Sequence, residues 1–167
     1  DLRWELLTGL VVAGRAGEAE IAAELTRDNT ANGQKAAAGA RAAIPTAAAK
    51  QAAWDLLVES KELSNALVNQ ASLGFGRVQE PALLLPFVDR YFANAVSIWK
   101  RHTFKIAEYL MLNLYPIYLA DEALASKTRA AIQDPNIKEI PALRRILVEN
   151  LAAVERALVA QQRDLKG

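Results

Sequence analysis

Residues 30–60 read TANGQKAAAGARAAIPTAAAKQAAWDLLVES, two alanine-rich runs separated by the step Ile44-Pro45-Thr46. Thr30 carries the side chain of an N-cap for the first run, which ends near Ile44. Pro45 forbids its continuation, because the ring lacks a backbone N–H and collides with the preceding turn. Thr46 caps the second run, in which Trp54, Leu57 and Val58 fall at core spacing. Helix, break, helix is therefore the unit, and the chain on either side reads the same way.

Toward the N-terminus, Trp4, Leu7 and Val11 share one helical face with Leu6 and Leu10 beside them, and Gly14 and Gly17 bracket a turn. A second helix follows, with Ile21, Ala22 and Leu25 as its buried stripe and Glu18, Glu20 and Glu24 wet; acidic residues in its first turn suit the helix dipole. Toward the C-terminus, Ser64 caps a helix that ends at Gly74-Phe75-Gly76, read as a C-cap and turn. Pro81 suits the first position of a long helix to about Arg101, and Pro86 should kink it or delay its start. Thr103 opens a helix with Ile106, Leu110 and Leu114 inward, stopped by Pro116. Asp121 caps a shorter one ending before Asp134-Pro135. The last runs from about Pro141 to about Arg163 on Leu143, Leu147, Leu151, Val154 and Leu158.

Helix pairs thus begin near residues 1, 31, 64, 103 and 140. Steps of roughly 30 to 40 residues are those of helix hairpins that stack into a curved solenoid. The repeats are not self-similar, so a closed helical bundle is the alternative. No run of alternating strands is present, and the expectation is an all-α fold of stacked helix pairs.

The 167 residues fit a single domain spanning 1–167, large enough to bury roughly 70% of its unfolded surface. Hydrophobic residues make up 52%, much of it alanine, which favours closely approaching helices over a thick aromatic core. Twenty basic residues against nineteen acidic ones argue against nucleic acid as a partner, since that needs an excess of Lys and Arg. No stretch reaches 18 uninterrupted apolar residues, so no membrane span is expected; Tyr109 to Ala120 comes nearest and is broken by Asn113 and Pro116. The absence of cysteine fits a reducing, cytoplasmic compartment. Residue 1 is Asp and no signal-like segment follows, so the sequence looks like part of something longer.

The chemistry expected of an enzyme is missing. One histidine, His102, excludes both a His-Glu-x-x-His zinc site and a paired Glu-x-x-His di-metal site. No Gly-x-Ser-x-Gly elbow presents a serine to it, and no Gly-rich phosphate loop occurs. His102 reads as a helix-junction residue suited to a helix C-terminus. Asp121-Glu122 sits at a helix start as cap and dipole partner. Lys100, Arg101 and Lys105, with Trp99 and Phe104 nearby, could bind a carboxylate or phosphate but read more simply as a solvated helix end. Arg144-Arg145 are adjacent on a helix, so at most one should point into any groove. No catalytic or metal residue is assigned, and no substrate-channel residue. A small carboxylate enzyme built on Asp89 or Glu108 is the weakest reading.

Several local patterns occur in a recognisable order. They are Leu2-Arg3-Trp4-Glu5-Leu6-Leu7; Glu24-Leu25-Thr26-Arg27-Asp28-Asn29-Thr30 with Gly33; Ile44-Pro45-Thr46 with Lys50 and Ala53-Trp54; Gly74-Phe75 and Gln79-Glu80; Leu83-Leu84 with Pro86-Phe87-Val88-Asp89-Arg90-Tyr91-Phe92; and Pro141-Ala142-Leu143-Arg144-Arg145. Together they resemble the C-terminal helical domain of the aminopeptidase N family of zinc metallopeptidases, in its actinobacterial form. The resemblance implies stacked helix pairs like HEAT or armadillo repeats, forming a right-handed α-α superhelix. It implies a domain that closes the chamber of an upstream catalytic domain and limits peptide access. The zinc and its ligands would lie in that upstream part of the same polypeptide, leaving this fragment with no cofactor and no activity of its own. Family members often hold the peptide's C-terminal side with an arginine, for which Arg90, Arg144 and Arg145 are conceivable occupants. A free-standing helical scaffold that binds a protein partner is the competing reading.

Overall fold

The computed structural model describes residues 1–164, and among these every regular element is helical. Contacts sort the chain into two compact units, the first covering Asp1–Leu83 and the second starting at Leu84.

The first unit holds α1 (Leu2–Val12), α2 (Glu18–Arg27), α3 (Ala31–Ala42), α4 (Ala47–Glu59) and α5 (Asn65–Gly76). Its helix starts are set by local chemistry. Side-chain oxygens of Asp1, Thr30, Thr46 and Ser64 accept the backbone N–H groups of Arg3, Gly33, Ala49 and Leu67, satisfying donors that the first turn leaves orphaned. At α2, which lacks a capping side chain, the Glu20 carboxylate reaches back 2.8 Å to the Gly17 N–H, and that bond holds its pKa below the usual carboxylate range. Gly14, at φ +69°, makes the turn after α1.

α3 is the centre of this unit and packs against α1, α2, α4 and α5. Trp4, Val11, Ile21, Ala37, Ala40 and Ala43 form one buried cluster. Trp54, Leu57, Val58, Val68 and Phe75 are also buried, with the Trp54 and Phe75 rings 6.0 Å apart. The closest approach is between α3 and α5, where Gly39 faces Gly74. A Cβ built on Gly74 would lie 2.0 Å from the Gly39 carbonyl oxygen. Gly74 is thus a helix-contact residue within α5, not the C-cap expected for Gly74-Phe75-Gly76. The backbone leaves the helix only at Arg77.

A polar latch ties α1 to the α2–α3 turn. The Trp4 indole N–H donates to Asp28 Oδ2 at 2.9 Å, and the Thr30 hydroxyl donates to Asp28 Oδ1 at 2.7 Å. Arg3 donates two hydrogen bonds to Glu24, at 2.8 and 2.9 Å. A Cβ on Gly33 would sit 1.8 Å from the Asp28 carbonyl oxygen, so only glycine fits beneath the latch. Two side-chain expectations are corrected here. Ala22 is exposed, and Glu24 is largely shielded by Arg3 because the latch draws that side of α2 under α1.

The Thr30 and Trp4 hydrogen bonds pull the Asp28 pKa below the ordinary carboxylate value. A depressed carboxylate contributes stability that is present above its unfolded pKa, near 4, and is lost as pH falls through the folded value. The stability gap between the native chain and Asp28→Asn should therefore be steady at neutral pH and shrink below about pH 4, as read from urea midpoints across a pH series.

The second unit holds α6 (Val88–Arg101), α7 (Phe104–Asn113), α8 (Glu122–Gln133), the short α9 (Pro135–Lys138) and α10 (Pro141–Asp164). The long helix expected from Pro81 to Arg101 has the delayed start that Pro86 suggested: Pro81–Phe87 is a 3-10 segment, and the α-helix α6 follows. Pro86 has no N–H for the ladder and its ring opposes a preceding α turn, so the α-helix begins only beyond it. Thr103 and Asp121 cap α7 and α8 as their sequence suggests. α10 packs on α7, α8 and α9.

In α10 the buried residues are Leu143, Ile146, Leu147, Asn150 and Val154. Leu151 and Leu158 lie only half-buried, displaced by Ile146 and Asn150. Asn150 tolerates burial because its amide donates to the Tyr91 hydroxyl at 3.3 Å, while that hydroxyl donates to the Met111 carbonyl at 2.6 Å. Burial raises the Tyr91 pKa well above the phenol range, keeping it a neutral donor. The Tyr115 and Thr128 hydroxyls meet at 2.7 Å in the same core.

Candidate functional site

Several of the residues that sequence singled out are engaged with neighbouring side chains. Lys105 Nζ lies 2.7 Å from Glu108 and 4.7 Å from the Tyr109 ring centroid; the Glu108 hydrogen bond raises the lysine pKa. Trp99 and Phe104 stack edge to face at 5.4 Å across the α6–α7 turn, and His102 is the C-cap of α6. This corner is a helix junction. Asp89 pairs with Lys127 at 2.7 Å, Glu122 with Arg129 at 2.7 Å, and Asp121 accepts the Leu124 N–H. The Arg90 guanidinium lies over the Phe87 ring at 5.3 Å.

Arg144 and Arg145 both border one hollow at the start of α10, with Lys138, Pro141, Val148 and Glu149. The hollow is wide and open, so neighbours that diverge on the helix can still reach its rim. Arg145 approaches Glu149 only at 3.9 Å. These cations sit beside the N-terminus of a helix, whose dipole adds to their positive potential.

Lys50 is the functional-looking group whose role the sequence reading left unassigned. It is fully buried, and its ammonium donates to the Ala42 and Phe75 carbonyls, each at 2.8 Å. Desolvation lowers its pKa to about 8. The signal lay in its register: Lys50 precedes Ala53-Trp54 and Leu57-Val58 by one and two turns, on the buried face of α4. The two carbonyls end α3 and α5, so the lysine is a shared cap of two helix C-termini.

The first unit carries an apolar groove of about 570 Å³, lined by Leu25, Ala38, Leu56, Leu57, Leu63 and Leu67 among others. The ion pair of Arg41 and Glu18, at 2.7 Å, sits at its rim. It is a surface for side chains and carries no nucleophile–base pair. Among the described residues no group of His, Cys, Asp and Glu is placed to hold a metal ion, so the zinc implied by the resemblance finds no fitting donor set here. No helix of the described residues is long and apolar enough to cross a membrane.

Helices packed on a buried apolar core, with capped ends, exposed ion pairs and open grooves, make this an all-helical module that offers surfaces. The chain belongs to the family described as the ERAP1-like C-terminal domain, which matches residues 1–156. It is 39% identical over 166 residues to a protein of Streptomyces lividans named Aminopeptidase N, a match covering 98% of this chain and 19% of that protein. The chain therefore spans about a fifth of the length of the curated relative it matches.

Proposed function

We propose that the chain is the C-terminal, chamber-closing and substrate-access domain of a longer zinc-dependent aminopeptidase that removes N-terminal residues from peptides. The observation that carries this reading is the match of 98% of the chain to part of a protein named Aminopeptidase N. The chemistry then belongs to the upstream catalytic domain of the same polypeptide, which supplies the metal. This domain supplies surface, and the apolar groove beside Leu56 is the recess best suited to side chains of a long peptide.

Two measurements test the proposal. The isolated chain should hydrolyse no aminoacyl-anilide and bind no stoichiometric zinc; hydrolysis by the pure chain that a chelator abolishes would overturn it. In the full-length polypeptide, Leu56→Glu should raise KM for long peptides by about fivefold, equivalent to about 1 kcal/mol of lost binding, and leave aminoacyl-anilide kinetics unchanged. Equal effects on short and long substrates would remove the substrate-access role.

A further inference from the structure

The outward face of α1 is an apolar stripe. Leu2, Leu6 and Leu10 are 74%, 62% and 47% exposed, although the sequence sets Leu6 and Leu10 beside the core face. With Gly9 and Ala13, both exposed, they follow steps of four, three, one and three, which is one side of a helix. The charges of α1 do not interrupt it: Arg3 is held by Glu24, and Glu5 turns toward Arg77 at 4.0 Å. A Cβ on Gly9 would meet nothing within 4 Å, so a neighbouring backbone has room to approach there.

α10 offers the contrast. Its exposed residues include Arg144, Arg145, Glu149, Glu155, Arg156 and Arg163, with Val148 and Val159 as isolated apolar positions. Arrays of helices finish in a helix with a polar outer face, whereas an internal helix is apolar on both sides. By that rule the exposed face of α1 has the chemistry of an internal helix, and that of α10 does not.

We propose that Leu2, Leu6 and Leu10 seat an amphipathic helix of the polypeptide that precedes Asp1 in the longer aminopeptidase; this rests on the function proposed above. About four-fifths of the matched relative lies outside the match, and a domain described as C-terminal has polypeptide before it. A segment arriving at Asp1, the N-cap of α1, is tethered beside the stripe, which gives it a high effective concentration there. A second copy of the chain fits less well. An eleven-residue helix is only about 16 Å long, and one such stripe falls short of the roughly 1,200 Å² that a stable interface buries.

Carbene footprinting of the full-length polypeptide against the isolated chain tests this. The three leucines should label about fivefold less in the full-length protein, as expected when side chains pass from exposed to packed, and independently of concentration. Equal labelling in the two proteins overturns the proposal. So does labelling of the isolated chain that falls with concentration while light scattering shows a dimer, because the face then belongs to a second copy. Leu6→Lys gives an independent readout: the isolated chain should melt unchanged, and the full-length protein several degrees lower. An unchanged full-length melting temperature overturns the seat. Aminopeptidase activity with unprotected leucines removes this inference alone, whereas protected leucines without activity remove the functional reading alone.

Discussion

Gly74→Ala is expected to destabilise the chain by about 3–5 kcal/mol, or to abolish cooperative unfolding, from the addition of one methyl group. The new Cβ would lie 2.0 Å from the Gly39 carbonyl oxygen, which is backbone and cannot rotate away. α3 and α5 would have to separate, unpacking Ala71 and Phe75 along the same contact. Two other helical glycines serve as internal comparisons. At Gly39 a Cβ would stand 3.2 Å from the Gln70 carbonyl, so Gly39→Ala should cost only about 1 kcal/mol. At Gly9 the space is open, and Gly9→Ala should stabilise the isolated chain by about 0.5–1 kcal/mol through helix propensity. Urea denaturation of the three variants checks the order, and a mild effect at Gly74 would show that the helices do not meet as closely as described.

Lys50→Met should destabilise by about 2–4 kcal/mol at neutral pH. Methionine roughly conserves the volume and removes the burial of a charge, which by itself favours the variant. Against this, the Ala42 and Phe75 carbonyls lose their donor at two helix ends, at about 1–3 kcal/mol each, and the second effect is the larger. Stability should also carry a pH signature. The folded lysine has a pKa of about 8 against an ordinary value near 10.5, so between those limits the unfolded chain binds more protons. Stability then rises with pH across that window relative to Lys50→Met, and the difference is flat below about pH 7. Parallel urea midpoints at pH 7 and 9.5 measure it. A gap that stays constant would mean that the ammonium keeps its ordinary pKa, whatever its burial.

The relation between sequence and structure divides at these two sites. Thr30, Thr46, Ser64, Thr103 and Asp121 were legible as helix starts because each cap bonds a backbone N–H three residues away. Pro45 and Pro116 were legible as stops for the same local reason, and the all-α fold follows from such signals with the 3.6-residue period. Lys50 sits at a core position in the same pattern, yet its partners are eight and twenty-five residues away on other helices. A local reading shows the lysine in the pattern but not the two carbonyls that it serves. The candidate charged groups were also visible, but not their neutralisation: Lys105 by Glu108 and Glu122 by Arg129 depend on side-chain directions.

By itself, then, the sequence placed most of the helix starts and stops, and its single histidine excluded a His-Glu-x-x-His motif within these residues. Its ordered motifs also indicated the family. Tertiary structure alone decided that Gly74 is a contact rather than a cap, that Asp28 is a latch for Trp4, and that Leu2, Leu6 and Leu10 face outward. The physical reason is one of range. Caps and breaks are satisfied within a turn of the chain, whereas the partner of a glycine, a buried ammonium or an apolar stripe is chosen only when distant helices pack.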